Sequence, residues 1–159
     1  WDVLLRRRPA DEGEFVLLKA RCLGALGKAV AALAALDELT ERDPERPEAW
    51  FEAGDALFHF GALTGDPAPH ARARAALDRA VALDSSFAPA LEHLVMLAAR
   101  ERDTAAVRRY ASLYLAVDSA GENADGVRWR AARALGDARA VAAILRRAGT
   151  LSEITVHTM

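Results

Sequence analysis

The 159-residue chain has one cysteine, two lysines and six prolines, and only 6% of its residues are aromatic. With Cys22 alone no internal disulfide can form, and a reducing, cytoplasmic compartment is the expected one. β-Branched residues are also scarce, against 37 Ala and 21 Leu. Ala and Leu lose little side-chain entropy in a helix, so this composition excludes an all-β fold. A hydrophobic content of 52% likewise excludes a chain too polar to collapse. No apolar run approaches the roughly 18 residues of a membrane-spanning helix, so no membrane insertion is expected. Charge of one sign is missing too. Basic and acidic residues number 21 and 23 and are interspersed, giving a net charge of -2 and no field that attracts nucleic acid. The start, Trp1-Asp2-Val3-Leu4-Leu5-Arg6-Arg7-Arg8, is no signal peptide, because its basic run follows its apolar residues. It lacks an initiator Met, and the chain is expected to be a piece of something longer.

What is there is a repeat. The length suits one domain. Three segments close alike: Leu39 to Pro44 around Asp43, Ala82 to Ser85 around Asp84, and Ala116 to Ser119 around Asp118. The Asp residues stand 41 and then 34 positions apart. Removing a seven-residue insertion makes both gaps 34, and Leu63-Thr64-Gly65-Asp66-Pro67-Ala68-Pro69-His70 is the densest Gly/Pro stretch in the chain. Asp and Ser stop helices and cap new ones, so each closing segment reads as the turn between two helix pairs. Arg72 to Leu83 sets Ala73, Ala76, Leu77 and Ala80 on one helical stripe.

A 34-residue period divided into two helices is the signature of the tetratricopeptide repeat (TPR). Pro47 to Phe87 matches it best. Trp50, Gly54 and Leu57 stand at the first-helix spacing, with Ala53 for Leu; Ala73, Leu77 and Ala80 stand at the second, and Ser85 replaces the closing Pro. Gly13 to Arg46 keeps Leu23, Gly27, Ala32, Leu36 and Pro44, but has Val16, Lys19 and Ala20 where Trp, Leu and Gly are usual. Ala88 to Gly121 keeps Leu91 and Leu94, with Val95 for Gly. The chain resembles the TPR family over most of its length. The resemblance implies an all-α fold, a right-handed superhelix of antiparallel helix pairs, with units at about 13–46, 47–87, 88–121 and a shrunken 126–148. Residues 1–12 read as the end of a preceding repeat, since Pro9 lies 35 positions before Pro44. Residues 149–159 form a tail whose β-prone Ile154-Thr155-Val156 has no place in the pattern.

Signals for chemistry are weak. Gly24-Ala25-Leu26-Gly27-Lys28 is two residues too short for a phosphate-binding loop, has Ala29 where Ser or Thr should bind magnesium, and follows no strand. Gly27 reads instead as a turn residue. None of His59, His70, His93 and His157 pairs with another His or Cys at metal-ligand spacing, though the resemblance sets His59 and His93 on first helices of adjacent repeats. Ser85 and Ser86 lack a nucleophile context, and Cys22 lies in a helix stripe where packing explains it. Arg pairs such as Arg108-Arg109 and Arg146-Arg147 suit helix ends and faces without a ligand. No enzyme activity and no cofactor are expected.

In the TPR family first helices line a concave groove that binds proteins. The resemblance implies that Arg21, Phe51, Glu52, Asp55, Phe58, His59, His93, Met96 and Arg100 face a protein or peptide partner. Phe51 is either an aromatic anchor in the groove, or it packs against the adjacent repeat or covers the insertion. The Lys/Asn clamp for a peptide's terminal carboxylate is absent: Leu17, Arg21 and Glu52 occupy its places, and Glu52 repels a carboxylate. Residues 54–61, 75–83 and 87–91 also resemble TPR regions attached to bacterial serine/threonine kinases and transcriptional regulators. The expected function is therefore a non-catalytic interaction module of a larger bacterial signalling or regulatory protein. The alternative is a self-contained repeat protein that binds a small ligand or metal in its groove through Asp55, His59 and His93.

Overall fold

The computed structural model describes residues 9–121 and 123–156, with side chains described for 12–121 and 123–148. Eight α-helices run through the described residues: α1 (Pro9–Ala25), α2 (Ala29–Arg42), α3 (Pro47–Phe60), α4 (Pro69–Leu83), α5 (Ala88–Arg100), α6 (Thr104–Val117), α7 (Ala124–Ala134) and α8 (Ala138–Val156). One 3-10 turn, Gly61–Leu63, follows α3, and no strand occurs among the described residues. The fold is an all-α, TPR-like helical repeat. It divides into two compact units, residues 1–90 and 91–159.

The three Asp residues that set the period are the C-caps of α2, α4 and α6. Behind each lies a similar turn, the third closed by the Asp118 side chain, whose Oδ1 accepts from the Gly121 N–H at 2.6 Å. The residue three positions on donates its N–H to the Asp carbonyl in the first two, Arg46 to Asp43 and Phe87 to Asp84. A further three positions on, Ala49, Ala90 and Ala124 donate to Arg46, Phe87 and Gly121. Asp84 Oδ1 accepts from the Ser86 N–H and hydroxyl at 2.9 and 2.6 Å, and these bonds hold its carboxyl below the usual range. Within pairs the chain turns through a left-handed residue: Gly27 between α1 and α2, Gly136 between α7 and α8, and Arg102 between α5 and α6. At each, the next N–H reaches back five residues to a helix carbonyl, which closes the helix end (Lys28 to Leu23, Asp103 to Ala98, Asp137 to Ala132).

In the first unit Leu17, Ala20, Ala32, Leu36, Leu39, Ala49, Ala53 and Ala76 form a buried cluster joining α1 to α4, with Trp50 half-buried beside it. Small residues set the crossing of α3 and α4: a Cβ on Gly54 would lie 2.6 Å from Leu77 Cγ and 3.2 Å from the Ala73 carbonyl. The insertion is a bonded turn. Asp66 accepts from the Ala68 N–H at 2.8 Å and from Arg72 at 2.6 Å, so α4 and the loop are tied by one carboxylate. In the second unit α7 packs against α6 and α8, and Val107, Tyr110, Tyr114 and Val127 are buried.

One expectation needs correction. Cys22 is exposed on α1 rather than packed in its stripe. The backbone of Ile154-Thr155-Val156 is helical, because α8 continues over it; three β-branched or β-prone residues do not outweigh the helix that precedes them. α1 begins at Pro9, four residues ahead of Gly13, with the proline in the first turn, where its missing N–H costs nothing. The basic run Arg6-Arg7-Arg8 lies outside the described residues.

Candidate functional site

The predicted partner-binding residues fall on α1, α3 and α5. In the first unit Arg21 of α1 and Glu52 of α3 are brought together: Arg21 Nε donates to Glu52 Oε1 at 2.7 Å, and a second guanidinium nitrogen shares that oxygen. Glu52 is only 7% exposed, whereas the Arg21 side chain is 62% exposed. The hydrogen bond to Glu52 raises the Arg21 pKa above its usual value. Glu52 is therefore ion-paired beneath the Arg21 guanidinium.

One turn further along α3, His59 Nε2 lies 3.4 Å from Asp55 Oδ1. Phe51 is half-buried, with its ring centroid 5.3 Å from that of Phe87 in the turn after α4. This contact is with the closing turn of its own repeat. Phe58 meets His70, at the head of α4, with centroids 6.4 Å apart. The insertion thus recruits Phe58.

In the second unit His93 and Met96 are half-buried on α5 and Arg100 is exposed at its end. Arg100 lines a cavity of about 330 Å³ with Ala99 of α5 and Trp129, Arg130, Arg133 and Ala134 of α7. Arg130 donates to Glu92 Oε1 at 3.0 Å, and Arg133 sits over the Trp129 ring, 4.6 Å from its centroid. Arg100 is among the expected partner-binding residues, whereas Trp129, Arg130 and Arg133 are not. Their one signal was spacing: positions 129 and 133 are one helical turn apart, with Arg130 beside them.

A second cavity, about 370 Å³, opens among α2, α3 and α4 and is floored by Trp50, Ala53, Leu57, Ala75 and Ala76. Its arginines are engaged. Arg72 binds Asp37 at 3.1 Å and Asp66 at 2.6 Å, and Arg79 binds Glu45 at 2.8 Å.

These features define a helical-repeat protein of the TPR-like class, with polar and aromatic side chains set on its first helices. No protein-family model matches the chain, and no curated protein matches it by sequence. Among solved structures it resembles PilW, described as a widely conserved type IV pilus biogenesis factor, with a TM-score of 0.68 and 21% sequence identity. The likeness covers 85% of this chain and 60% of PilW, so the chain spans less than two thirds of that protein's length. At that identity it speaks for the fold. No helix among the described residues is long and apolar enough to cross a membrane.

Proposed function

We propose that the chain is a non-catalytic adaptor that binds a protein partner through the faces of its first helices, α1, α3 and α5. The observation that carries this reading is the repeated construction itself: a similar Asp-closed turn after α2, α4 and α6 returns the chain to a first helix each time. Repeats of this kind stack helix pairs and leave an extended face for partners. The residues assigned to it are Arg21, Phe51, Glu52, Asp55, Phe58, His59, His93, Met96 and Arg100. The resemblance of residues 54–61, 75–83 and 87–91 supports membership of a larger bacterial signalling or regulatory protein, and the lone Cys22 supports a cytoplasmic place for it.

Site-specific photo-cross-linking tests the face. A photoreactive residue at His59 or Arg100, on first helices, should give covalent adducts with a discrete protein in source cells. The same residue at Ala71 of α4 or Arg108 of α6 should not. Equal labelling from both sets of positions, or none from the first, would overturn the assignment. The intact mass of the native gene product tests the larger context, since a mass near 17.1 kDa would exclude attached domains.

A further inference from the structure

The cavity between the end of α5 and α7 holds three guanidiniums and a Trp ring around about 330 Å³. Arg130 is held by Glu92, whose side chain is 15% exposed, so this carboxylate is spent on one cation. Arg100 and Arg133 have no carboxylate within 4.0 Å among the described residues. Two positive charges are therefore left uncompensated at one small site. A guanidinium attracted to a ring face keeps its N–H donors for hydrogen bonding, so Arg133 is fixed by Trp129 without being consumed. This combination suits an anionic group that brings an apolar neighbour: charge meets Arg100 and Arg133, and the neighbour covers the half-buried Trp129.

We infer that this cavity docks an acidic peptide segment of the partner protein, whose carboxylates pair with Arg100 and Arg133 while its chain lies against Trp129. The inference rests on the adaptor reading and adds the chemistry of what is bound. A carboxylate peptide is favoured over nucleic acid by the charges at the cavity. A polyanion needs a continuous basic track, whereas here two unpaired arginines stand in a chain of net charge -2. The cavity volume, at the low end of ligand clefts, admits a few side chains.

Fluorescence anisotropy with a labelled Glu-rich peptide, and the same peptide with Gln for every Glu, tests this on the full chain. The Glu peptide should bind about tenfold more tightly, and Arg100→Gln and Arg133→Gln should each weaken it by about tenfold. Both side chains are exposed, so these variants should keep the parent's circular dichroism spectrum. Arg133→Lys should retain only part of the affinity, because an ammonium lacks the planar fork that stacks on Trp129, added salt should lower it, and a Trp emission change on binding should vanish in Trp129→Phe. Equal affinity for the two peptides, no loss in the Arg100→Gln/Arg133→Gln double variant, or displacement by duplex DNA at a lower charge concentration would each overturn the inference. Adducts at His59 without Glu-peptide binding would sink the pocket and leave the adaptor reading intact. Glu-peptide binding without adducts at any first-helix position would sink the adaptor reading, and with it the partner protein as the source of the acidic segment.

Discussion

The two units use the same residue type in opposite ways. The first carries 15 acidic and 11 basic side chains, the second 8 and 10, so their formal charges are -4 and +2. In the first, arginines join parts of the fold: Arg21 to Glu52, Arg46 to Asp43, Arg72 to Asp37 and Asp66, Arg79 to Glu45. In the second, Arg128 and Arg147 share Asp125 and Arg130 takes Glu92, while Arg100 and Arg133 have no acidic partner among the described residues. An excess of carboxylates lets every cavity-lining arginine of the first unit serve as an internal tie. A deficit leaves guanidiniums of the second unit for an external anion. Two cavities of similar size thus differ in whether their charges are already satisfied.

The largest expected loss comes from the packing on which the first unit's ties depend. Leu77 is fully buried against Gly54, so Leu77→Ala should cost about 3 kcal/mol, read as a lower urea midpoint at unchanged slope. Gly54→Ala puts a Cβ into Leu77 and should cost about 1–2 kcal/mol despite the better helix propensity of Ala. Because the cavity left by Leu77→Ala admits that methyl, the double variant should lose less than the two single losses combined. Strict additivity would show that the two residues do not share the crossing.

Removing a tie is the next largest effect. Arg21→Ala leaves Glu52 buried without its partner, and should cost about 1–2 kcal/mol, less than a fully buried pair because Arg21 faces solvent. Glu52→Gln in the same background should restore part of it, since a neutral amide is cheaper to bury than a carboxylate. By contrast, Arg100→Gln and Arg133→Gln should each change stability by no more than about 0.5 kcal/mol. Thermal unfolding of the three single variants measures the contrast directly. If Arg133→Gln destabilised as much as Arg21→Ala, its arginine would be structural after all.

The turns within helix pairs differ between the units by a smaller energy. Gly27 in the first unit and Arg102 in the second close their helix pairs at φ values of 72° and 60°. Only glycine takes that conformation freely. Gly27→Ala should therefore cost about 1 kcal/mol and Arg102→Gly should gain about 0.5–1 kcal/mol, both read as shifts in Tm. A loss on Arg102→Gly would mean that the arginine side chain stabilises the turn by more than its backbone strain costs.

Helix class, the period and its Asp-closed turns were legible because they are local. Asp43, Asp84 and Asp118 act within three to six residues of themselves, and Gly54 acts through a helix crossing that the period already implied. The surface chemistry was less legible. Nothing in the order of residues tells that Glu52 is covered by Arg21, 31 positions earlier, or that Phe51 turns to Phe87. Arg130 and Glu92, 38 positions apart, become neighbours only through tertiary packing. Exposure misled where a helix stripe was read without its neighbours, as at Cys22.

The smallest effect concerns the insertion, which only the first unit has, and its sign follows from one carboxylate. Asp66 is held below its ordinary pKa of 3.8, first by the hydrogen bond from Arg72 and then by the Ala68 N–H. A carboxyl whose folded pKa lies below the unfolded one favours the fold while ionised. Its contribution is therefore complete above the unfolded value and fades as pH falls through the folded one, when the proton removes the acceptor for Arg72. Asp66→Asn should lower Tm slightly at pH 6, and the difference from the parent should shrink below about pH 4 as both carry an uncharged side chain. A difference that stayed constant into acid would assign the loss to the amide's geometry in the turn rather than to the charge. Salt should reduce it as well, because the Arg72 side chain is 46% exposed and its pairing is screened.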